Sequence, residues 1–377
     1  MDPYRRHVRI FRALAVLVRP VLRVTFNLSG EQLQAEGPFL LVSNHVTGWD
    51  PLLVGVCLGG RQAYFVASEH IFRLGLLTKV LNRLLAPIPR RKASTGMDTV
   101  KACLRHLHAG RNVCLFAEGE QCWDGRTGPI FPATGKLVKS SGASLVTFRL
   151  EGGYLSLPRW GKHICRGAVY GHPVGVYSPE ALKKLSPQEI NALIERDIAE
   201  DAWARQRQMP VRYRGKRRAE GMERALYACP VCRRLGTLRT ERDRIFCPCG
   251  FERTYTEYGF FAPEEPFASI ADWDRWQREL LQSRAFEHEG GLLFQDGGLE
   301  LRRIHADHSE DLLGRGTLRQ YEDRLECAGL RFPLAEIRSM AMVQAHLLLF
   351  SFGGEYYQLR ASGGVNLRKY LEIWKEI

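Results

Sequence analysis

The 377-residue sequence contains no run of about 18 consecutive apolar residues, which excludes a reading with a transmembrane helix. Its first residues lack an uninterrupted apolar core followed by small residues, so no secretory signal is expected. Acidic residues are in deficit: 41 Asp and Glu stand against 54 Lys and Arg, a formal net charge of +13. That shortage of negative charge points to anionic partners, among them phospholipid head groups, phosphorylated substrates and nucleic acid. The ten cysteines do not form a disulfide framework: four lie in one tight cluster and the rest are scattered, as in a reducing cytosol with a metal site.

The chain is long enough for two or three domains of about 150 residues each. With 45% hydrophobic and 25% charged residues it reads as globular and ordered. Residues 4–26 form a basic amphipathic stretch. At about 100° per residue, Arg5, Arg9, Arg12, Arg19 and Arg23 fall within an arc of about 80°. Val8, Ile10, Phe11, Leu14, Leu17, Val18, Val21, Leu22 and Phe26 occupy the other faces, and Pro20 is expected to kink or divide the segment. Such a helix suits the head-group plane of an anionic membrane. The plainer alternative is a solvated charged face on a helix packed against its own domain.

Leu40 to Val42 is an apolar run short enough for a buried strand, and it stops at polar Ser43-Asn44-His45. Asp50-Pro51 then opens a helix carrying Leu52, Leu53, Val54 and Val56. A histidine and an aspartate thus share one strand-to-helix loop. There the carboxylate can hold one imidazole nitrogen while the other serves as a general base. Asp before Pro is equally a good helix cap, so the loop alone does not decide the role of Asp50. A second apolar strand, Val113 to Phe116, ends in Ala117-Glu118-Gly119-Glu120 and places another carboxylate at a strand end.

Together these residues resemble the glycerolipid acyltransferase family, best known from the 1-acyl-sn-glycerol-3-phosphate acyltransferases. Asn44, His45 and Asp50 match its N-H-x4-D block, down to Ser43 and Trp49. Phe116, Glu118 and Gly119 match its F-P-E-G block, in which Ala117 replaces the proline. Glu120-Gln121 replaces the Thr/Ser-Arg that follows, so the arginine of that block has no counterpart there. The resemblance covers residues 5 to 220 and implies an α/β acyltransferase core. It implies His45 as the base, Asp50 as its orienting carboxylate, and Asn44, Glu118 and Gly119 at the acceptor. The block Pro87-Ile88-Pro89-Arg90-Arg91-Lys92 would hold the acceptor phosphate, with the choice among Arg90, Arg91 and Lys92 left open. The implied reaction moves a fatty acyl group from acyl-CoA or acyl-carrier protein to a lysophospholipid hydroxyl, foremost 1-acyl-sn-glycerol-3-phosphate, giving phosphatidic acid. Enzyme and partners would meet at the cytoplasmic face of a membrane, with the protein peripheral or monotopic.

Cys229-Pro230-Val231-Cys232 and Cys247-Pro248-Cys249-Gly250 are separated by what reads as a short hairpin. Four thiolates from two tight turns suit a closed, structural tetrahedral zinc site in a zinc-ribbon-like module, although the second pair has one spacer residue where two are usual. A helix over 267–283 follows, then short apolar runs punctuated by Gly290-Gly291, Gly298, Gly316 and Gly353-Gly354, and a final helix near 365–376. That layout is similar to a pleckstrin-homology-like sandwich. The chain is therefore expected to divide into membrane-contact helices (1–30), an acyltransferase α/β domain (31–222), a zinc-ribbon-like module (223–262) and a β-rich domain ending in a helix (263–377). Two rivals remain: a catalytically silent lipid-binding scaffold, and a nucleic-acid-binding zinc-ribbon protein. The second leaves His45, Asp50 and Glu118 at strand ends without a purpose, so no nucleic acid is expected.

Overall fold

The strand read at Leu40 to Val42 extends over Phe39–Ser43 and lies at the centre of a seven-stranded sheet. The computed structural model describes residues 3–73, 76–90, 96–288, 290–305, 307 and 309–376. Its contacts form two compact units: Met1–Arg91 with Thr95–Arg159 and Ile164–Arg214, and Lys92–Ser94 with Trp160–His163 and Gly215–Ile377. The sequence suggests four segments; here the N-terminal helix belongs to the first unit and the cysteine region to the second.

In the first unit the strands are β1 (Leu28–Gly30), β2 (Phe39–Ser43), β3 (Ala63–Ser68), β4 (Ile88–Arg90), β5 (Asn112–Phe116), β6 (Ser144–Glu151) and β7 (Val169–Tyr177). They pair in the order β1-β7-β6-β2-β5-β3-β4. Every pairing is parallel except β6 with β7. The helices are α1 (Pro3–Phe26), α2 (Asp50–Cys57), α3 (Leu76–Leu84), α4 (Met97–His108), α5 (Thr134–Ser141), α6 (Gly153–Ser156), α7 (Pro179–Lys183), α8 (Pro187–Ile198) and α9 (Ala202–Gln208).

Both faces of β2 are apolar because helices cover both. Phe39 and Leu41 pack with Phe11, Leu22 and Phe26 of α1 and Leu53 and Val54 of α2. Leu40 and Val42, pointing the other way, pack with Cys103 and Leu107 of α4, Leu137 of α5 and Ile190 and Ile194 of α8. From β2 the chain builds β3, β4 and β5 on one side and β6 and β7 on the other, so β2 marks where the winding reverses.

Two local expectations differ. Pro20 does not divide α1, which runs as one helix to Phe26. The charged stretch from Ser178 to Glu223, whose pattern reads as helical with a basic linker at 212–218, forms α7, α8 and α9 but is not α-helical beyond Gln208; the linker lies outside any helix, as read. Along α1, His7, Phe11, Leu22 and Phe26 are buried, whereas Val16, Leu17, Val21 and Val24 are exposed. These four span an arc of about 140° at about 100° per residue, overlapping the edge of the arginine arc at Val16.

The second unit opens with an antiparallel sheet of β8 (Arg239–Glu241), β9 (Arg244–Phe246), β10 (Glu252–Tyr255) and β11 (Phe261–Ala262), ordered β11-β10-β9-β8. The β8–β9 pair is the hairpin read between the cysteine pairs. Helix α10 (Ile270–Gln282) follows, then β12 (Leu292–Ile304), β13 (Glu310–Tyr321), β14 (Arg324–Cys327), β15 (Leu330–Pro333), β16 (Ser339–Val343), β17 (Leu347–Phe352), β18 (Glu355–Ala361) and α11 (Arg368–Trp374). The strands form one antiparallel sheet ordered β15-β14-β13-β12-β18-β17-β16. Side chains of α10 hold the segment leading to Cys229. Gln277 accepts from Tyr227 N at 2.8 Å and donates to Ala225 O at 3.0 Å, and Trp273 Nε1 donates to Ala228 O at 2.9 Å. Asn366 donates to Glu223 O at 3.1 Å. Buried Arg368 grips Asp274 with two bonds of 2.6 and 2.9 Å, tying α11 to α10.

Candidate active site and cysteine cluster

Ser43 at the end of β2 pairs with Phe116 at the end of β5, so the loops leaving these two strands meet. This is the crevice at the carboxyl ends of a parallel sheet, beside the strand where the winding reverses.

His45 Nδ1 lies 2.8 Å from Asp50 Oδ2, the imidazole 19% exposed and the carboxylate fully buried. Asp50 is the first residue of α2 but does not cap it; the N-cap position is Trp49, with no side-chain cap bond. Its carboxylate turns back onto the loop instead. It accepts from Val46 N at 2.5 Å, from Thr47 N at 3.0 and 3.1 Å, and from Thr47 Oγ1 at 2.9 Å. Those donors hold the carboxylate in place. With Nδ1 directed at a carboxylate, the free lone pair falls on Nε2. The imidazole stacks on Phe116, centroids 4.3 Å apart and planes 19° off parallel, which fixes its second degree of freedom.

Glu118 does not face outward. Its Oε1 accepts from His45 N at 2.6 Å and its Oε2 from Gly128 N at 2.7 Å, so it clamps the histidine loop to the segment after β5. Burial pushes its pKa up to about 8, against the lowering effect of the two N–H donors; Asp50 and Glu120 add to the rise. Gly119 adopts φ +72°, and a Cβ there would lie 2.1 Å from the Phe131 ring. Glycine is required on both counts.

Across the outer face of Phe131 lies Arg90, its guanidinium carbon 4.4 Å from the ring centroid. Arg90 has no carboxylate partner among the described residues, and desolvation lowers its pKa from the ordinary value. A stacked, partly desolvated guanidinium without a counter-ion is poised for an anion. Arg91 and Lys92 lie outside the described residues.

Asn44 differs from the sequence reading. Rather than facing an acceptor, its buried amide donates to Leu150 O and accepts from Leu150 N, both at 2.8 Å, and so completes the β2–β6 contact beyond the strand end. An amide bonded at both ends to backbone positions the loop.

Sequence reading gave no role to Arg159. Its guanidinium lies 4.0 Å over the Trp123 ring and donates from Nη1 to Glu120 Oε2 at 2.7 Å and to Gln121 O at 3.0 Å. It thus brings a cation to the loop where the second block lacks one, from a position no local pattern reveals.

In the second unit the Sγ atoms of Cys229, Cys232, Cys247 and Cys249 all lie within 4.8 Å of one another. Cys229–Cys249 is 3.6 Å and Cys232–Cys247 is 3.8 Å. Thiolates at about 2.3 Å from a tetrahedral zinc stand about 3.8 Å apart, so the donor set fits that ion with all four positions filled.

The sequence pattern of the family described as Acyltransferase matches residues 25–151. That segment contains His45, Asp50, Arg90, Glu118, Gly119 and Phe131. No curated protein matches the chain. Among solved structures, the chain is similar to the crystal structure of the 1-acyl-sn-glycerophosphate (LPA) acyltransferase PlsC from Thermotoga maritima. The two share 14% identity with a TM-score of 0.43, over 54% of this chain and 80% of that one.

Proposed function

We propose that the first unit transfers a fatty acyl group from acyl-CoA or acyl-carrier protein to the hydroxyl of a lysophospholipid, foremost 1-acyl-sn-glycerol-3-phosphate, yielding phosphatidic acid. The observation that carries this reading is the 2.8 Å contact of His45 Nδ1 with fully buried Asp50, which leaves Nε2 as the available base. His45 Nε2 takes the hydroxyl proton as the acceptor oxygen attacks the thioester carbonyl. The C–S bond then breaks, and the departing sulfur takes the proton back from the imidazolium. Asp50 stabilises that imidazolium and fixes its tautomer. Asn44 and Glu118 are positioning residues for the loop. Arg90 holds the acceptor phosphate, with Arg91 and Lys92 beside it in sequence.

The exposed apolar stripe of α1, Val16, Leu17, Val21 and Val24, enters an anionic bilayer while the adjoining arginines meet its head groups. On this reading the enzyme works at the cytoplasmic face as a peripheral or monotopic protein, beside its water-insoluble acceptor. The four cysteines hold a structural zinc. The strand order of the C-terminal sheet, closed by α11, supports a pleckstrin-homology-like module.

The deciding experiment is product mass spectrometry on the purified protein and His45→Ala, with detergent-dispersed lysophosphatidate and both thioester donors. A diacyl product from the parent alone is expected. Equal product from both proteins removes His45 from the reaction, and none from the parent with any lysolipid removes the acyl-transfer reading.

A further inference from the structure

Residues 118–123 form one wall of the His45 loop: Glu118 accepts from His45 N, and Cys122 N donates to His45 O at 2.9 Å. Within that wall, Glu120 and Arg159 make an ion pair with unequal surroundings. The Arg159 side chain is 2% exposed and that of Glu120 is 32% exposed. The guanidinium also rests on Trp123 and donates to Gln121 O, so it keeps its place without the carboxylate. Glu120, next to Gly119 in sequence, is the more exposed member of the pair. Removing a buried guanidinium's anion leaves a desolvated charge, a costly state unless another anion arrives.

We propose that Arg159 is a phosphate-binding residue of this site and that Glu120 is its internal placeholder, displaced when the phosphate of a substrate arrives. The proposal rests on the acyltransferase reading and adds to it a second cation besides Arg90. Exchange conserves the charge pairing at Arg159: one anion leaves the guanidinium as another joins it. A phosphate, with three acceptor oxygens and greater charge, fits the planar fork at least as well as a carboxylate. The empty site then never holds a buried unpaired cation, and a ligand without an anionic group gains nothing by opening it. The acceptor and the coenzyme A donor both carry such phosphates.

Calorimetric titration of the full-length protein tests this, with sn-glycerol 3-phosphate in one arm and free coenzyme A in the other. In Glu120→Gln the placeholder charge is gone, and the arm whose phosphate uses Arg159 tightens by about tenfold, the equivalent of about 1.4 kcal/mol. The same arm weakens in Arg159→Gln, and Arg159→Lys recovers part of the loss. Tightening in only one arm identifies the source of the phosphate. Unchanged or weaker affinity of Glu120→Gln in both arms overturns the proposal, provided its thermal melt matches the parent's. Binding is read without turnover. Shifted affinities with no acyl transfer sink the functional reading and keep the exchange; turnover with unshifted affinities does the reverse.

Discussion

The amide N–H of His45 donates to Glu118 Oε1 at 2.6 Å, closing a link between residues 73 positions apart. The loop that carries His45 and the carboxylate of the second strand end are therefore one mechanical unit.

His45→Ala should lower turnover by about 10²- to 10⁴-fold, the usual loss for a general base, with an unchanged melting temperature. Asp50→Asn should lose activity and stability together, because an amide NH₂ would meet the Val46 and Thr47 donors that the carboxylate now accepts. Steady-state rates and thermal melts on both variants separate the two effects.

Glu118 gives stability a pH dependence of defined sign. Its folded pKa is raised to about 8, so between the ordinary carboxylate range and pH 8 the folded chain holds a proton that the unfolded chain has released. Stability then falls with rising pH, by at most about 1.4 kcal/mol per unit from this group. Glu118→Gln should be less stable than the parent, with a deficit that is largest near pH 4.5 and narrows toward pH 8. Urea unfolding at both ends of that window measures it; a constant deficit would mean a carboxylate charged throughout.

Gly119→Ala should destabilise the protein by about 1–2 kcal/mol from its left-handed backbone alone. The added Cβ also pushes Phe131, and with it Arg90, out of place. The acceptor KM should rise with it, as it should in Arg90→Gln. An unaltered KM in Arg90→Gln would remove that residue from phosphate binding.

One zinc per chain should be found by elemental analysis of protein purified without added metal. Cys229→Ser should lose it and expose the second unit to proteolysis, while His45-dependent chemistry in the first unit is the control. Full retention of zinc by the variant would relocate the metal.

Replacing Val16, Leu17 and Val21 by serine should abolish sedimentation with anionic vesicles and leave the melting temperature unchanged, since these side chains are exposed. Binding that persists would place membrane contact elsewhere.

The sequence exposes His45, Asp50 and Glu118 because a buried parallel sheet concentrates polar chemistry at its strand ends. An apolar run that stops at His or Glu is visible locally. What the sequence hides is pairing across distance. Asn44 looks available until Leu150, 106 positions on, takes both ends of its amide. Arg159 reaches Glu120 across 39 positions, and no periodicity records it. Pro20 reads as a break, yet α1 runs on through it with Leu22 and Phe26 buried, so packing outweighs local propensity. In the second unit the β8–β9 hairpin is legible from its two cysteine turns. The neighbour relation of β12 and β18 is not, since it depends on strands about sixty residues apart.

The bonds from Trp273, Gln277 and Asn366 to residues 223–228 also impose an order of events on a ribosome. All four cysteines are made by residue 249, before any of the side chains that hold the segment ahead of the first of them. Until those side chains follow, the cysteine turns lack the support they have in the folded chain. A metal ion that arrives then bridges the two turns early; an oxidant that arrives then pairs them wrongly. Yield of this protein should accordingly track zinc supply and thiol redox state during translation more closely than either does afterwards.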